Sequence, residues 1–435
     1  MKTYAILCSI VLTSGIAASA NTWTLDSCIN YAIEHNINIK SQRLSVKSAE
    51  QSVTEAKDRF LPELSAGASQ SWSFGRGLTS ENTYTNRNTS NFGWNVNMSL
   101  PLFQGLSAVR QKAYAKANLR TYIEELEAAK DDVTLNVISA YLQVLYNGEI
   151  CKVAAEQLHL SEVEVERREQ LLEAGKIAEL ELVEARSQVA QDKLSLISAE
   201  NDRTLALVDL AQLLELPVVE GFDISPIDDE GLGIVSPESV YERALNSNHS
   251  IVAGRLRVAA ADRNVSLAAS SYLPRLSFNA GLGSSYYTVN GFDNERFSTQ
   301  MRNNFNKSIG FSLSVPIFDA FSSRNSVRRA KIERLNAQLQ YEDAQRNLYK
   351  NVQQAYYRAV GADERLVAAK AAEDATHEAF KAMQEKYNFG RANATEFEQA
   401  KTAYIKAMAQ SVQAKYESIL RRRILAFYNN EPVGR

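Results

Sequence analysis

The fold is decided by Arg59-Phe60-Leu61-Pro62-Glu63-Leu64, a stretch that returns 212 residues later as Ser271-Tyr272-Leu273-Pro274-Arg275-Leu276. Each copy ends a helical pattern at Leu-Pro, since the residue before a proline is driven out of the α region. Later landmarks repeat at an offset of 215 residues: Ser99-Leu100-Pro101-Leu102-Phe103 returns as Ser314-Val315-Pro316-Ile317-Phe318, and Gly175 returns as Gly390. A period this long predicts two half-molecules of several elements each and excludes a solenoid of short repeats.

A hairpin of two β-strands is predicted after each Leu-Pro stretch, because apolar residues then occupy every second position. In the first copy these positions are Leu64, Ala66, Ala68, Trp72, Phe74, Phe92, Trp94, Val96, Met98, Leu100 and Leu102, with Gln70 as a polar member of the same series. In the second copy they are Leu276, Phe278, Ala280, Leu282, Tyr286, Ile309, Phe311, Leu313, Val315 and Ile317, with Ser284 as the polar member. Such runs of about ten residues fit tilted membrane-spanning strands, and a hairpin in a soluble sandwich is the alternative. The polar segments 75–91 and 287–307 are predicted to be extracellular loops.

The rest of each copy is predicted to be helical. The first helix should run from Thr24-Leu25-Asp26 towards Phe60, with Thr24 or Asp26 as its N-cap. Segments 105–172 and 320–387 contain no proline. Their apolar and small residues recur at alternating spacings of three and four, which is typical of a coiled-coil seam. Each segment should form a helix about 100 Å long, turn at Gly175 or Gly390, and continue as an antiparallel return helix.

Four parts of the chain follow from these patterns. Residues 1–20 are predicted to be a secretory signal peptide that ends in Ala18-Ser19-Ala20. Residues 21–216 form the first repeat, with a helix, a β-hairpin, a long helix and a return helix. The proline-rich, acidic segment 217–237 is the connector, and residues 238–435 form the second repeat with the same elements.

The number of strands predicts an oligomer. Two hairpins supply four strands, which are too few to close a barrel. A dimer would bring eight strands around a filled interior, whereas a trimer would bring twelve and leave room for a pore.

Composition argues against several classes of function. The net charge of −3 and the pI of about 6.0 do not describe a nucleic-acid-binding protein. The histidines, at positions 35, 159, 249 and 377, have no metal-ligand spacing. No P-loop or nucleophile elbow is found in the sequence. The sequence therefore predicts no enzyme, no metal site and no cofactor.

Taken together, these features resemble the TolC-like outer-membrane efflux proteins. The signal peptide, the duplicated hairpins, Leu-Pro-x-Leu before the first strand and Pro-Leu/Ile-Phe after the second carry the resemblance over essentially the whole mature chain. It implies a mainly α fold with membrane β, in which a tandem-repeat protomer forms a homotrimer. A 12-stranded β-barrel in outer-membrane lipid would then continue as a long periplasmic α-helical barrel.

The resemblance also implies a function and its partners. Such proteins are the outer-membrane exit duct of a tripartite efflux or type I secretion system, and they pass small molecules or proteins without chemistry. Their periplasmic tip docks a periplasmic adaptor protein and an inner-membrane pump. The rival hypothesis is a periplasmic adaptor or coiled-coil scaffold, which predicts one helical hairpin between soluble β domains rather than two equivalent hairpins.

Specific residues at the tip follow from the same resemblance. The segment from Tyr387 through Gly390 to Tyr404 is similar to the family's tip, which tyrosine, arginine and carboxylate contacts close. This implies a pore gate at Tyr387, Glu396 and Gln399, with Glu181 and Glu184 at the equivalent positions of the first copy. A ring of three carboxylates would favour cation passage. The alternatives are a core aromatic for Tyr387 and a solvated helix face for Glu396.

The two glycine turns are predicted to contact the adaptor. The residues concerned are Gly175 and Lys176 in the first copy and Gly390 and Arg391 in the second. An ordinary helix C-cap is the alternative, because glycine is expected there in any case.

Overall fold

A computed structural model describes residues 22–78, 82–217, 221–227 and 233–431. The predicted signal peptide and the acidic residues Asp228, Asp229 and Glu230 of the predicted connector lie outside the described residues. Among the helices that are described, none is long and apolar enough to cross a membrane.

The main elements follow the same order in both halves of the chain, and the segment between the two long strands differs. They are α1 Leu25–His35, α2 Ile37–Asp58, β1 Glu63–Ser73, β2 Arg76–Leu78, β3 Tyr84–Asn86, β4 Thr89–Gln104, α3 Ser107–Glu173, α4 Glu179–Leu213, α5 Pro237–Ser247, α6 His249–Ala268, β5 Arg275–Val289, α7 Phe297–Asn303, β6 Asn306–Ser314, α8 Ser322–Asn388 and α9 Ala394–Tyr428. Each half thus has two helices, a pair of long strands and two long helices.

The chain divides into two compact units that alternate along the sequence. Residues 41–128 and 245–347 form the first, which we call the sheet unit because it holds all the strands named above. Residues 1–40, 129–244 and 348–435 form the second, which we call the helical unit.

The single helix predicted before each Leu-Pro stretch is wrong, because an asparagine divides it in both copies. Asn36 separates α1 from α2 with ψ 132, and its side chain accepts a hydrogen bond of 2.9 Å from the backbone of Asn38. Asn248, with ψ 116, separates α5 from α6, and its side chain caps α6 by accepting a hydrogen bond from the backbone N–H of Ile251. An asparagine side chain competes with the helical ladder for backbone groups, so it favours such breaks. Of the two predicted caps, Thr24 is the N-cap of α1.

Four antiparallel strands form the sheet in the order β1-β4-β5-β6. The two copies meet where β4 pairs with β5, for example at Met98 and Ala280. The predicted strand end at Ile317 is wrong, since β6 stops at Ser314; Pro316 has no N–H to donate to a ladder. Leu102 was predicted to continue the apolar series of β4, but an irregularity between Pro101 and Phe103 places Phe103 opposite Leu276 instead.

The sheet has one apolar and one polar face, because residues directly opposite in an antiparallel pair lie on the same side. The register aligns Ala66, Val96 and Leu282 across three strands, and Leu100, Phe278 and Phe311 in another row. The other face consists mainly of serine, glycine and asparagine, at Ser65, Gly67, Ser69, Ser71, Asn91, Gly93, Asn95, Asn97, Ser99, Ser277, Asn279, Gly281, Gly283, Ser308, Gly310 and Ser312. Ile309 on the apolar face is 77% exposed. The predicted alternation is therefore present in all four strands.

The two predicted loops contain regular structure. The first holds the short hairpin of β2 and β3, and the second holds α7. The strand β5 also continues to Val289, beyond the predicted end of the strand at Tyr286. Polar composition indicated loops here, but β2 and β3 pair with each other, and side-chain contacts with β5 order α7, as described below.

Candidate functional site

The two turns between long helices have the same geometry. Gly175, with φ +66, donates to the carbonyl of Leu172, and Lys176 donates to that of Leu171. In the second copy, the backbone N–H of Gly390, with φ +69, donates to the carbonyl of Tyr387, and that of Arg391 donates to the carbonyl of Lys386. Both turns are Schellman motifs, in which a residue with positive φ ends the helix, and glycine adopts that conformation without steric cost.

All four residues predicted to contact an adaptor are exposed at these turns. They are Gly175, Lys176, Gly390 and Arg391. The helix C-cap weighed as the alternative is therefore present, and it leaves the surface of each turn accessible. The C-cap geometry and an adaptor contact are compatible.

Tyr387, one of the predicted gate residues, is buried where the last turn of α8 meets α3. Its hydroxyl donates a hydrogen bond of 2.6 Å to Oε1 of Glu164. The guanidinium of Arg167 lies 3.9 Å from the centre of its ring and donates to its carbonyl oxygen over 2.8 Å. The ring of Phe397 stacks on it at 4.7 Å. Tyr387 therefore joins the first helical hairpin to the second.

Glu164 is a buried carboxylate with several partners. Arg168 donates to it from Nε over 2.8 Å, and both side chains are almost completely buried. Arg168 also donates to the carbonyl oxygen of Glu181 on α4. We call Glu164, Arg167, Arg168 and Tyr387 the tip cluster. Removal of one member of a buried ion pair is strongly destabilising, because the other charge is then buried without compensation.

The pKa directions agree with this geometry. Burial raises the pKa of the Tyr387 hydroxyl, and its hydrogen bond to the Glu164 carboxylate raises it further, to about 12. Burial of Arg168 disfavours its charge, but the hydrogen bond and the attraction of Glu164 outweigh burial and raise the pKa of the guanidinium. The tip cluster therefore holds a neutral tyrosine and a charged arginine around one carboxylate.

A second buried polar group lies in the same unit. Asp192 on α4 is 1% exposed and accepts hydrogen bonds from Gln157, Gln188 and Ser161. Lys401 on α9, 3% exposed, donates to Ser161 over 3.0 Å and pairs with Glu398 at 2.8 Å. We call Ser161, Asp192 and Lys401 the Asp192 cluster. Like the tip cluster, it links side chains of both helical hairpins.

The other predicted gate residues are not brought into either cluster. Glu396 is exposed and forms a capping box with Asn393, in which its carboxylate accepts from the Asn393 backbone over 3.0 Å. Gln399 and Glu184 are exposed. Glu181 contributes its backbone carbonyl to Arg168. Of the residues predicted for the gate, only Tyr387 therefore lies in a buried contact between the hairpins.

Sequence reasoning missed the charged members of both clusters. For Glu164, Arg168 and Asp192 the signal is a difference between the repeats, because they align at the 215-residue offset with Ala379, Met383 and Ala407. Lys401 aligns with Arg186 and gives no such signal. A charge that replaces a small or apolar residue in a repeated seam indicates a buried polar contact made in one copy only.

Comparison with known proteins gives consistent matches. The family model described as outer membrane efflux protein matches residues 28–215 and again residues 240–427. The outer membrane protein TolC of Vibrio cholerae is 24% identical over 83% of this chain and 82% of its own. The alkaline protease secretion protein AprF of Pseudomonas aeruginosa is 22% identical over 85% of this chain and 76% of its own. The solved structure of CusC covers 94% of this chain and 92% of its own, with a TM-score of 0.77 and 17% identity.

Proposed function

Because the chain belongs to the outer membrane efflux protein family, we propose that it is the outer-membrane exit duct of a tripartite efflux or type I secretion system. The two faces of the sheet carry this proposal. A face with Ile309 and Phe311 exposed at 77% and 70% is stable in contact with lipid chains, and the serine, glycine and asparagine face suits a wet interior. Cargo would pass along the polar face.

The sheet supports assembly from several copies. Within the described residues, β1 pairs only with β4 and β6 only with β5. Each protomer therefore presents two strand edges with unpaired backbone groups, which are costly in a membrane. In the proposed homotrimer, β6 of one copy pairs with β1 of the next, and twelve strands close around a pore.

The tip cluster supports a gate that opens and closes. Tyr387 and Glu164 join the two helical hairpins by one hydrogen bond. The guanidinium of Arg167 also lies over the Tyr387 ring and donates to the Tyr387 carbonyl. Separation of the hairpins would widen the proposed pore, and it requires these contacts to break. We keep Glu396 and Gln399 as proposed pore residues, with Glu396 held in its capping box at the start of α9.

The proposed partners are a periplasmic adaptor and an inner-membrane pump. Gly175, Lys176, Gly390 and Arg391 are exposed at the two turns and offer two similar surfaces per protomer. AprF is named for secretion of a protease, and CusC is named as part of a cation efflux system. Both proteins and small solutes therefore lie within the range of cargo that relatives export.

Planar-bilayer conductance, with the mass of the same sample measured by native mass spectrometry, tests this function. We expect small openings from a trimer, and more frequent openings from Glu164→Gln. Glu166→Gln is the matched control, because Glu166 is an exposed glutamate on the same helix. A stable trimer that conducts no ions, in wild type and in Glu164→Gln alike, would overturn the proposal in favour of an adaptor or scaffold.

A further inference from the structure

Helix α7 lies on the apolar face of the sheet, near the end where the loops are. The ring of Phe297 is 5.0 Å from Tyr286 and 6.0 Å from Phe92, and Phe305 is 6.3 Å from Trp94. All three partners belong to the apolar rows. If that face is in lipid, α7 is on the outer surface of the barrel and not in the pore.

Hydrogen bonds to β5 hold α7 in this position. Gln300 accepts from the backbone N–H of Tyr287 over 3.0 Å and donates to its carbonyl over 2.9 Å. Asn304 donates to the carbonyl of Ser285 over 2.8 Å. The neighbouring strand β6 reaches only as far as Gly283. Side chains in and beside α7 thus replace a strand partner along the last part of β5, so the helix is fixed to the sheet.

The length of β5 places α7 at the level of lipid headgroups. The apolar rows begin at Leu276 and reach α7 at Tyr286, eleven residues along the strand. A tilted strand crosses the hydrocarbon layer in about 9–11 residues. The long helices α3 and α8 follow the opposite ends of the strands. With these helices in the periplasm, α7 is at the outer leaflet.

The exposed surface around α7 is aromatic and cationic. Phe292, Phe297 and Phe305 are about half-exposed or more, and the cations of this segment are exposed at Arg296, Arg302 and Lys307. The ammonium of Lys307 lies 5.5 Å from the ring centre of Phe305. No salt bridge among the described residues involves these three cations. Aromatic rings with adjacent cations are typical of a membrane–water interface.

We propose that α7 is an interfacial helix and that Arg296, Arg302 and Lys307 bind the phosphate groups of lipid A, the phosphorylated glycolipid of the outer leaflet. Guanidinium groups match phosphate oxygens bidentately. The exposed carboxylates Asp293 and Glu295 lie on the N-terminal side of α7, so the cations at and beyond its C-terminal end are the stronger contributors. This inference rests on the proposed function, because it requires the apolar face to be in the outer membrane.

Native mass spectrometry of the detergent-solubilised oligomer, titrated with purified lipid A or with phosphatidylethanolamine, tests the proposal. We expect wild type to prefer lipid A, and Arg302→Gln and Lys307→Gln each to weaken lipid A binding roughly five-fold, the fold-change that about 1 kcal/mol per cation gives. Arg296→Gln, beside Glu295, should weaken it less. Replacing both arginines by lysine should weaken binding less than replacing both by glutamine, because lysine keeps the charge but not the bidentate contact. The matched control replaces Lys193, Lys370 and Lys406, exposed cations of the helical unit, by glutamine.

Two outcomes would overturn the proposal. One is equal binding of lipid A and phosphatidylethanolamine by wild type, and the other is unchanged lipid A binding when all three cations near α7 are replaced. Conductance of the same samples in planar bilayers separates this result from the proposed function. A conducting channel without lipid A preference removes only the role of α7, whereas a failure of wild type to conduct removes the duct itself.

Discussion

The sheet and the helical tip place their side chains in opposite ways. In the sheet, large apolar residues such as Ile309 and Phe311 are exposed, and in the tip, charged residues such as Glu164 and Arg168 are buried. A water-soluble protein does the reverse in both places. In the proposed duct, lipid covers the apolar face of the sheet, whereas the tip carries its partners within the chain.

The difference separates two physical roles. The proposed lipid contact is non-directional and would cover the whole apolar face, so no single residue of the sheet should be decisive. The tip depends on a few directional contacts with one carboxylate, and the loss of one partner leaves a buried charge. A permanent membrane anchor suits the first arrangement, and a part that opens and closes suits the second.

The largest loss of stability should come from Glu164→Ala in the tip cluster. It removes the partner of Arg168 and Tyr387, and loss of one member of a buried ion pair costs about 3–5 kcal/mol. Hydrogen exchange should become faster at the C-terminal ends of α3 and α8. Glu166→Ala, an exposed change on the same helix, should leave exchange unaltered, and equal protection in both variants would contradict the importance of the cluster.

A charge on the apolar face of the sheet should have the next largest effect. Ile309→Arg puts a cation near the middle of the apolar rows, where it should cost about 2–4 kcal/mol of stability. Urea-induced unfolding in phospholipid vesicles measures this cost. Ser312→Arg, on the polar face of the same strand, is the control and should cost much less. Equal costs would show that lipid does not contact the apolar face.

Tyr387→Phe tests the hydrogen bond alone, because the ring and its stacking on Phe397 are kept. A hydrogen bond to a charged group contributes about 1.5–3 kcal/mol. We expect faster hydrogen exchange at the end of α8 and more frequent channel openings. Tyr404→Phe is the control, since Tyr404 stacks on Phe380 in the same aromatic group. A closed channel in Tyr387→Phe, with unchanged exchange, would exclude Tyr387 from the gate.

The smallest expected effect is a loss of stability at alkaline pH, when the Tyr387 hydroxyl ionises. The folded state raises the pKa of Tyr387 from 10.0 to about 12, so it favours the protonated hydroxyl. The contribution of Tyr387 to stability is therefore complete below pH 10 and is lost as the pH rises towards 12. Absorbance of tyrosinate, as the difference between wild type and Tyr387→Phe, should show one group that titrates near pH 12. Titration of that group near pH 10 would mean that the hydroxyl is solvated.

Much of the fold followed from repeated patterns. The Leu-Pro stretches, the alternation in the strands and the long seams predicted the tandem elements, and the family match confirms the predicted family and the location in the outer membrane. The breaks at Asn36 and Asn248 were missed, because one asparagine in a helical pattern is a weak signal. The helix α7 was missed because its order comes from hydrogen bonds that Gln300 and Asn304 make to the backbone of β5, which a polar loop composition does not reveal.

Within the candidate site, the sequence by itself determined the two glycine turns and singled out Tyr387. Both depend on local rules or on resemblance, since a positive φ selects glycine wherever the chain must reverse. Only the tertiary structure decided that Glu164 is the partner of Tyr387 and that Asp192 and Lys401 are joined through Ser161. These contacts connect residues up to 240 positions apart, and the packing of four helices, which no local pattern specifies, brings them together.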